Sequence, residues 1–243
     1  MKFSAVLSAC TPDEKYSKFI PLFIKQWKTL YPDIKIIIVF VAQELPHYLD
    51  KYKEYLHTVK IPSTLLPAFV AQNARLYWPG LLNYADDEGI LITDIDMLPA
   101  AGLNFTKYCE EFSSDSFHHF LNSGVGRGEY VMCYNLASSK IWRQVFRVTT
   151  EDEAWARMQE TSKQYDGKHG GKGWNIDQLQ LRQKVDQWAK TSSLNIIKYE
   201  IRRLIPKCNL SDTLKLLDEK YTDCHLYADG SQYSLQNILS CLE

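Results

Sequence analysis

Asp94 and Asp96 stand two residues apart in the run Gly89-Ile90-Leu91-Ile92-Thr93-Asp94-Ile95-Asp96-Met97. On an extended chain, residues two apart point the same way. Both carboxylates are therefore expected on one side of a strand as it leaves the core after Ile90–Ile92. Carboxylates that close repel each other unless a cation lies between them, and oxygen ligands suit Mg²⁺ or Mn²⁺. Sites of the Mg²⁺ type keep few protein ligands and complete their shell with substrate phosphates and water. The pair thus points to holding a phosphorylated ligand through a metal. A solvated acidic turn is the plainer alternative, and the apolar strand before the pair favours the site.

Other stretches carry groups that bind or react. Tyr165–Trp174 (YDGKHGGKGW) is rich in glycine and lysine and is expected to be mobile. Lys168 and Lys172 would let such a loop close over a diphosphate and stabilise a leaving group's charge. It lacks the G-x-x-x-x-G-K-[ST] pattern, so it is not a P-loop, and an ordinary surface loop is the alternative. His118 and His119 fall in an expected loop. Tyr77 and Trp78 either wall a pocket or pack in the core.

The elements that must position these groups alternate along the first hundred residues. Lys2–Cys10 reads as a strand closed by Thr11-Pro12-Asp13, where Thr11 or Asp13 caps a helix over Lys15–Leu30. Ile34–Ala42 is almost continuously apolar, as expected of a parallel strand covered on both faces. A helix over Glu44–Leu56 follows, with Leu45, Tyr48, Leu49, Tyr52 and Leu56 on one side. Next come a short extended piece at Val59–Leu66, a helix over Asn73–Tyr84 interrupted at Pro79-Gly80, and the strand Gly89–Met97. This order predicts an α/β fold, a Rossmann-like sheet flanked by helices that binds ligands at the carboxyl ends of its strands. Further on, the sequence predicts a strand at Tyr130–Asn135 and helices over Ser138–Arg147, Glu151–Gln164 and Asp177–Lys190. The last has Leu179, Leu181, Val185 and Trp188 inward, and Asn195–Tyr199 reads as a final strand. No linker or repeat divides residues 1–243, so one domain is expected.

Composition narrows the ligand. Hydrophobic residues make up 45% and charged residues 23%, as in folded globular proteins. A formal net charge of -1 offers no basic field for nucleic acid, so a small neutral or anionic ligand in a cleft fits better. No run approaches ~18 consecutive apolar residues, and no transmembrane helix is expected. Leu7-Ser8-Ala9-Cys10 superficially looks like a lipoprotein cleavage box, but the apolar stretch before it is short and a first strand is the better reading. Cys10, Cys109, Cys133, Cys208, Cys224 and Cys241 contain no C-x-x-C pair, so neither a disulfide framework nor a zinc site is expected. Reduced packing cysteines and a cytoplasmic location, free or peripheral to a membrane, follow from that reading.

With the strands before it, Asp94-Ile95-Asp96 resembles the D-x-D motif of GT-A-fold glycosyltransferases, in element order and spacing over roughly residues 1–200. The resemblance implies the GT-A fold, a single Rossmann-like domain with a mixed, mostly parallel sheet. Residues 1–100 would be the nucleotide-binding half, and residues 101–243 the acceptor side with a C-terminal extension. It implies that Asp94 contacts ribose or metal and that Asp96 binds Mn²⁺ or Mg²⁺ bridging the diphosphate of a nucleotide-sugar, a UDP-sugar favoured. Ser8, Ala9, Cys10 and Thr11 would form the nucleotide-base edge, or be only a strand-to-helix turn. Arg75 would lie near the nucleotide or donor sugar, or be a surface arginine. Asp177 would face the acceptor or reacting carbon, a general base in an inverting enzyme, with Trp174 stacking on a sugar; its plain reading is a helix N-terminal charge. His225 would be a third metal ligand, or a satisfied histidine. The implied function is transfer of a sugar to a hydroxyl acceptor such as a glycan.

Rival readings use the same aspartates. A phosphatase of the haloacid-dehalogenase type continues D-x-D-x-[TV] on an early strand, whereas the fifth position here is Leu98. A nucleotidyltransferase would carry a glycine- and basic-rich loop after its first strand, and Ser8–Asp13 has neither glycine nor arginine. A non-catalytic sugar- or nucleotide-binding module of the same fold is separated from an enzyme only by assay.

Overall fold

A computed structural model of the chain describes residues 1–111, 114–120, 128–191, 196–198, 203–204, 210–226, 233–240 and 242. The first half runs β1 (Lys2–Cys10), α1 (Glu14–Ser17), α2 (Ile20–Leu30), β2 (Lys35–Val41), a 3-10 helix (His47–Tyr55), β3 (Leu56–Val59), α3 (Pro67–Leu81), β4 (Glu88–Ile92), β5 (Met97–Pro99) and α4 (Phe105–Glu111). The second half runs β6 (Phe117–His119), β7 (Asn135–Ser138), α5 (Ser139–Phe146), α6 (Glu151–Ser162), α7 (Ile176–Thr191), β8 (Ile196–Lys198), β9 (Arg203–Leu204), α8 (Leu210–Lys220), β10 (Asp223–His225) and α9 (Leu235–Ser240).

Among the described residues the strands form a seven-stranded sheet, β3-β2-β1-β4-β7-β6-β8, and a three-stranded one, β5-β10-β9. In the large sheet β1 pairs parallel with β2 and β4, while β7 runs antiparallel to both β4 and β6. The sheet is thus mixed and mostly parallel, with helices on both faces. Alternation along each strand divides the apolar side chains between two cores. Val6, Ile36, Ile38, Phe40 and Leu91 pack with Phe23 and Trp27 of α2. Ala5, Leu7, Val39, Ile90 and Ile92 pack with Val70, Ala74 and Trp78 of α3 on the other face. Burial on both faces is why these strands read as continuous apolar runs. Among the described residues no helix is long and apolar enough to cross a membrane. Among the described residues Cys10, Cys109, Cys133 and Cys224 are buried and form no disulfide, while Cys208 and Cys241 lie outside the described residues.

Several elements differ from the sequence reading. The Lys15–Leu30 helix is split at Lys18-Phe19, with Asp13 capping its first part through the Lys15 amide. The expected α-helix over Glu44–Leu56 is a 3-10 helix, of which only Leu49 is fully buried. α3 begins at Pro67 rather than Asn73 and carries Pro79 in its last turn, where the missing N–H costs one late hydrogen bond without ending the helix. The Tyr130–Asn135 strand starts only at Asn135, because Tyr134 adopts a left-handed φ of 54° that an extended strand excludes. The Asn135 side chain secures that bend by donating to the carbonyls of Val131 and Met132, each at 3.0 Å. On α7, Leu181, Val185 and Trp188 are buried as expected, but Leu179 is 40% exposed.

Candidate active site

The parallel strands deliver their carboxyl ends to one edge. Leu7 of β1 pairs with Ile92 of β4, and the Thr93 amide extends the ladder by donating to the Leu7 carbonyl at 3.0 Å. Asp94 and Asp96 then leave the sheet beside Ala9-Cys10-Thr11. They lie in the turn between β4 and β5, with the Ile95 side chain between them anchored in the core. They are therefore not two neighbours on one strand face, and their surroundings differ.

Asp94 Oδ1 accepts from Arg75 Nη1, and the other terminal nitrogen of Arg75 donates to Asp177 Oδ2 at 3.1 Å. Arg75 comes from α3 and Asp177 from the first turn of α7, so one guanidinium ties both helices to the turn after β4. Arg75 is 6% exposed and Asp177 2%. Burial lowers the Arg75 pKa, opposed by the charges of Asp177 and Asp96. Burial also pushes the Asp177 carboxyl up to about 6, against the pull of Arg75 and of the Gln178 amide. Its Oδ1 accepts from that amide at 2.9 Å, so both carboxylate oxygens have partners.

A carboxyl raised in the folded state keeps its proton where the unfolded chain has lost it. Stability from Asp177 is then fully present below pH 4, is lost as pH rises to about 6, and stays level above that. The loss is about 3 kcal/mol. Denaturant unfolding across this range should show the wild-type advantage over Asp177→Asn shrinking by roughly that amount, and parallel curves would refute the shift.

Asp96 faces the small sheet. His225 of β10 pairs antiparallel with Met97, and the Leu226 amide donates to the Asp96 carbonyl at 2.9 Å. This pairing closes a long sequence separation and sets His225 Nε2 3.2 Å from Asp96 Oδ2. Two cis ligands of an octahedral ion, each about 2.1 Å from the metal, stand about 3 Å apart. Asp96 and His225 therefore fit a Mg²⁺- or Mn²⁺-type ion as a neighbouring carboxylate–imidazole pair. Among the described residues no group of three or more His, Cys, Asp or Glu side chains stands as a metal-binding cluster; Asp94, the other expected ligand, is engaged by Arg75.

These groups line a cleft of about 440 Å³, together with Ala9, Cys10 and Thr11. Ser8 does not line it; the side chain is buried beneath, its hydroxyl without a protein partner. A second cavity, about 690 Å³, shares Thr11, Asp13 and Ala68 with the first and is floored by Val41 and Val59 at the ends of β2 and β3. Trp174 lines the main cleft, as do Tyr16, Met132, Cys133, Gln178 and Arg203, which sequence reasoning missed. Tyr77 and Trp78 do not wall it. They face the second core, where the Tyr77 hydroxyl donates to Gln180 and Trp78 packs edge-on against Trp155. His118 and His119 are buried on β6 rather than in a loop.

The glycine-rich segment is folded rather than open. Asp166 accepts from the amides of Lys168 and Lys172, Tyr165 stacks on Phe69, and Gln72 donates to the Trp174 carbonyl. A Cβ at Gly173 would stand 2.3 Å from the Gln164 carbonyl oxygen, which makes glycine necessary there. The cleft receives His169 and Trp174 from this segment, not Lys168 or Lys172.

The chain has the GT-A fold. It is similar to the apo form of the glycosyltransferase GlyE of Streptococcus pneumoniae TIGR4, with a TM-score of 0.52 at 13% identity over 99% of this chain. The chain spans 64% of that GlyE structure's length. A galactosyltransferase, LgtC, in complex with donor and acceptor sugar analogues matches at a TM-score of 0.48 and 11% identity, covering 98% of this chain and 95% of that one. A glycosyltransferase involved in glycosylation of the major capsid of PBCV-1 matches at 0.47 and 9% identity, covering 99% of this chain and 100% of that one. No family model matches the sequence, and no curated protein matches it.

Proposed function

We infer that this chain is a metal-dependent glycosyltransferase that moves a sugar from a nucleotide diphosphate-sugar, a UDP-sugar favoured, to a hydroxyl acceptor such as a glycan. The observation that carries this reading is the convergence of Asp94, Asp96, Arg75, Asp177 and His225 on one cleft of a GT-A fold. Asp96 and His225 would hold Mn²⁺ or Mg²⁺, which supplies positive charge for the departing nucleoside diphosphate. The adjoining cavity at the ends of β2 and β3 suits the nucleoside, with Ala9, Cys10 and Thr11 between base and diphosphate. Ser8 supports that edge from below.

Asp94 acts through Arg75: the ion pair keeps the guanidinium across the cleft floor, where its donors can orient the sugar. Asp177 sits at the opposite end of the same guanidinium. For Asp177 to take the acceptor proton, its Oδ2 must exchange Arg75 for the acceptor hydroxyl, and a carboxyl pushed up to about 6 is ionised yet basic enough at neutral pH. Trp174 offers a ring for a sugar face.

The test is a screen of UDP- and GDP-hexoses for nucleoside diphosphate release with Mn²⁺, with and without simple saccharide acceptors. Release that needs both metal and protein is expected from at least one donor. No release from any donor, alongside intact folding, would favour a non-catalytic module.

A further inference from the structure

Arg203 is the second guanidinium of the cleft. It lies on β9, directly across from Asp223 of β10 in a parallel pair. Its Nε and Nη2 both donate to Asp223 Oδ2, at 2.8 and 2.6 Å, and Nη2 also reaches Cys133 Sγ at 3.3 Å. Asp223 is fully buried and is not part of the cleft wall, whereas Arg203 lines it. Among the described residues Nη1 has no protein partner. The guanidinium is thus held from behind on two of its three nitrogens, with the third left for a ligand. Asp223 is two residues before His225 on the same strand, so this fixed cation belongs to the His225–Asp96 end of the cleft.

Such an arrangement is an oxyanion receptor. The remaining Nη1 carries two N–H donors for a phosphate or carboxylate oxygen, and its orientation is set before the ligand arrives. Arg75 is less suited to an anion, because two carboxylates, Asp94 and Asp177, already flank its guanidinium. We propose that Arg203 binds an anionic oxygen group of the donor, with Asp223 as its positioning residue. The group is either the diphosphate or an acidic substituent, such as a uronate carboxylate, on the transferred sugar. This rests on the donor reading above.

The experiment compares wild type with Arg203→Lys and with a double variant, Arg203→Gln plus Asp223→Asn, which leaves no unpaired buried carboxylate. Thermal unfolding confirms that each folds. Calorimetric affinities are then measured for uridine, UDP, UDP-glucose and UDP-glucuronate with Mn²⁺ present. If the diphosphate is the target, the double variant loses roughly tenfold to a hundredfold in UDP affinity while uridine binding is unchanged. If the sugar carboxylate is the target, UDP binding holds and a wild-type preference for UDP-glucuronate over UDP-glucose disappears. A folded double variant with all four affinities unchanged overturns the role of Arg203. A wild type that binds none of the four overturns the donor reading itself, and this proposal with it.

Discussion

Asp96→Ala is expected to lose sugar transfer by on the order of a thousandfold, about 4 kcal/mol of transition-state stabilisation. The Asp96 carboxylate stands 3.2 Å from His225 Nε2 on a turn whose backbone is already fixed by the Leu226 amide. Alanine keeps that backbone bond and removes only the side-chain oxygens. The expected defect is therefore in metal-dependent charge neutralisation, with the fold intact, and added Mn²⁺ should not restore the rate. Parallel rate measurements at several Mn²⁺ concentrations check this. A variant within a few-fold of wild type would remove Asp96 from the site.

Asp177→Asn is expected to lower transfer by about a hundredfold to ten-thousandfold, the range for a general base, while donor binding is retained. Asparagine is nearly the same shape, but its single carbonyl oxygen can accept from Arg75 or from the Gln178 amide and not from both. It cannot take a proton, and the one acceptor it lacks is a structural cost that unfolding measurements read separately from the transfer rate. Asp177 is 2% exposed with both of its oxygens engaged, so the variant's stability is measured beside its rate. Single-turnover rates of the variant with saturating donor make the comparison. Near-normal transfer would assign Asp177 to holding Arg75 and nothing more.

The sequence made β1, β2 and β4 legible because sheet strands covered on both faces need apolar residues at nearly every position. It also picked out Asp94 and Asp96, whose polarity stands out after Ile90–Ile92. It could not tell them apart, because their different partners arise from tertiary structure: Arg75 from a helix for Asp94, and a strand 129 positions away for Asp96. β5, β9, β6 and β10 are two or three residues long, too short to show a period-2 pattern. The strand placed at Tyr130–Asn135 failed on one residue, since apolar composition does not announce the left-handed turn at Tyr134. That misplaced strand hid Met132 and Cys133, which line the cleft. Tyr77 and Trp78 stayed between pocket wall and core, because helical periodicity gives a helix two faces but not which one meets the sheet; the core alternative holds.

Calorimetric titration of UDP into the wild-type protein and Asp96→Ala, each with Mn²⁺ and with the metal chelated, tests the metal-held donor site most directly. Wild type should bind UDP markedly tighter with Mn²⁺ than without it, and Asp96→Ala should show no such gain. Equal UDP and Mn²⁺ affinities in the two proteins would contradict the assignment of a metal to Asp96 and His225.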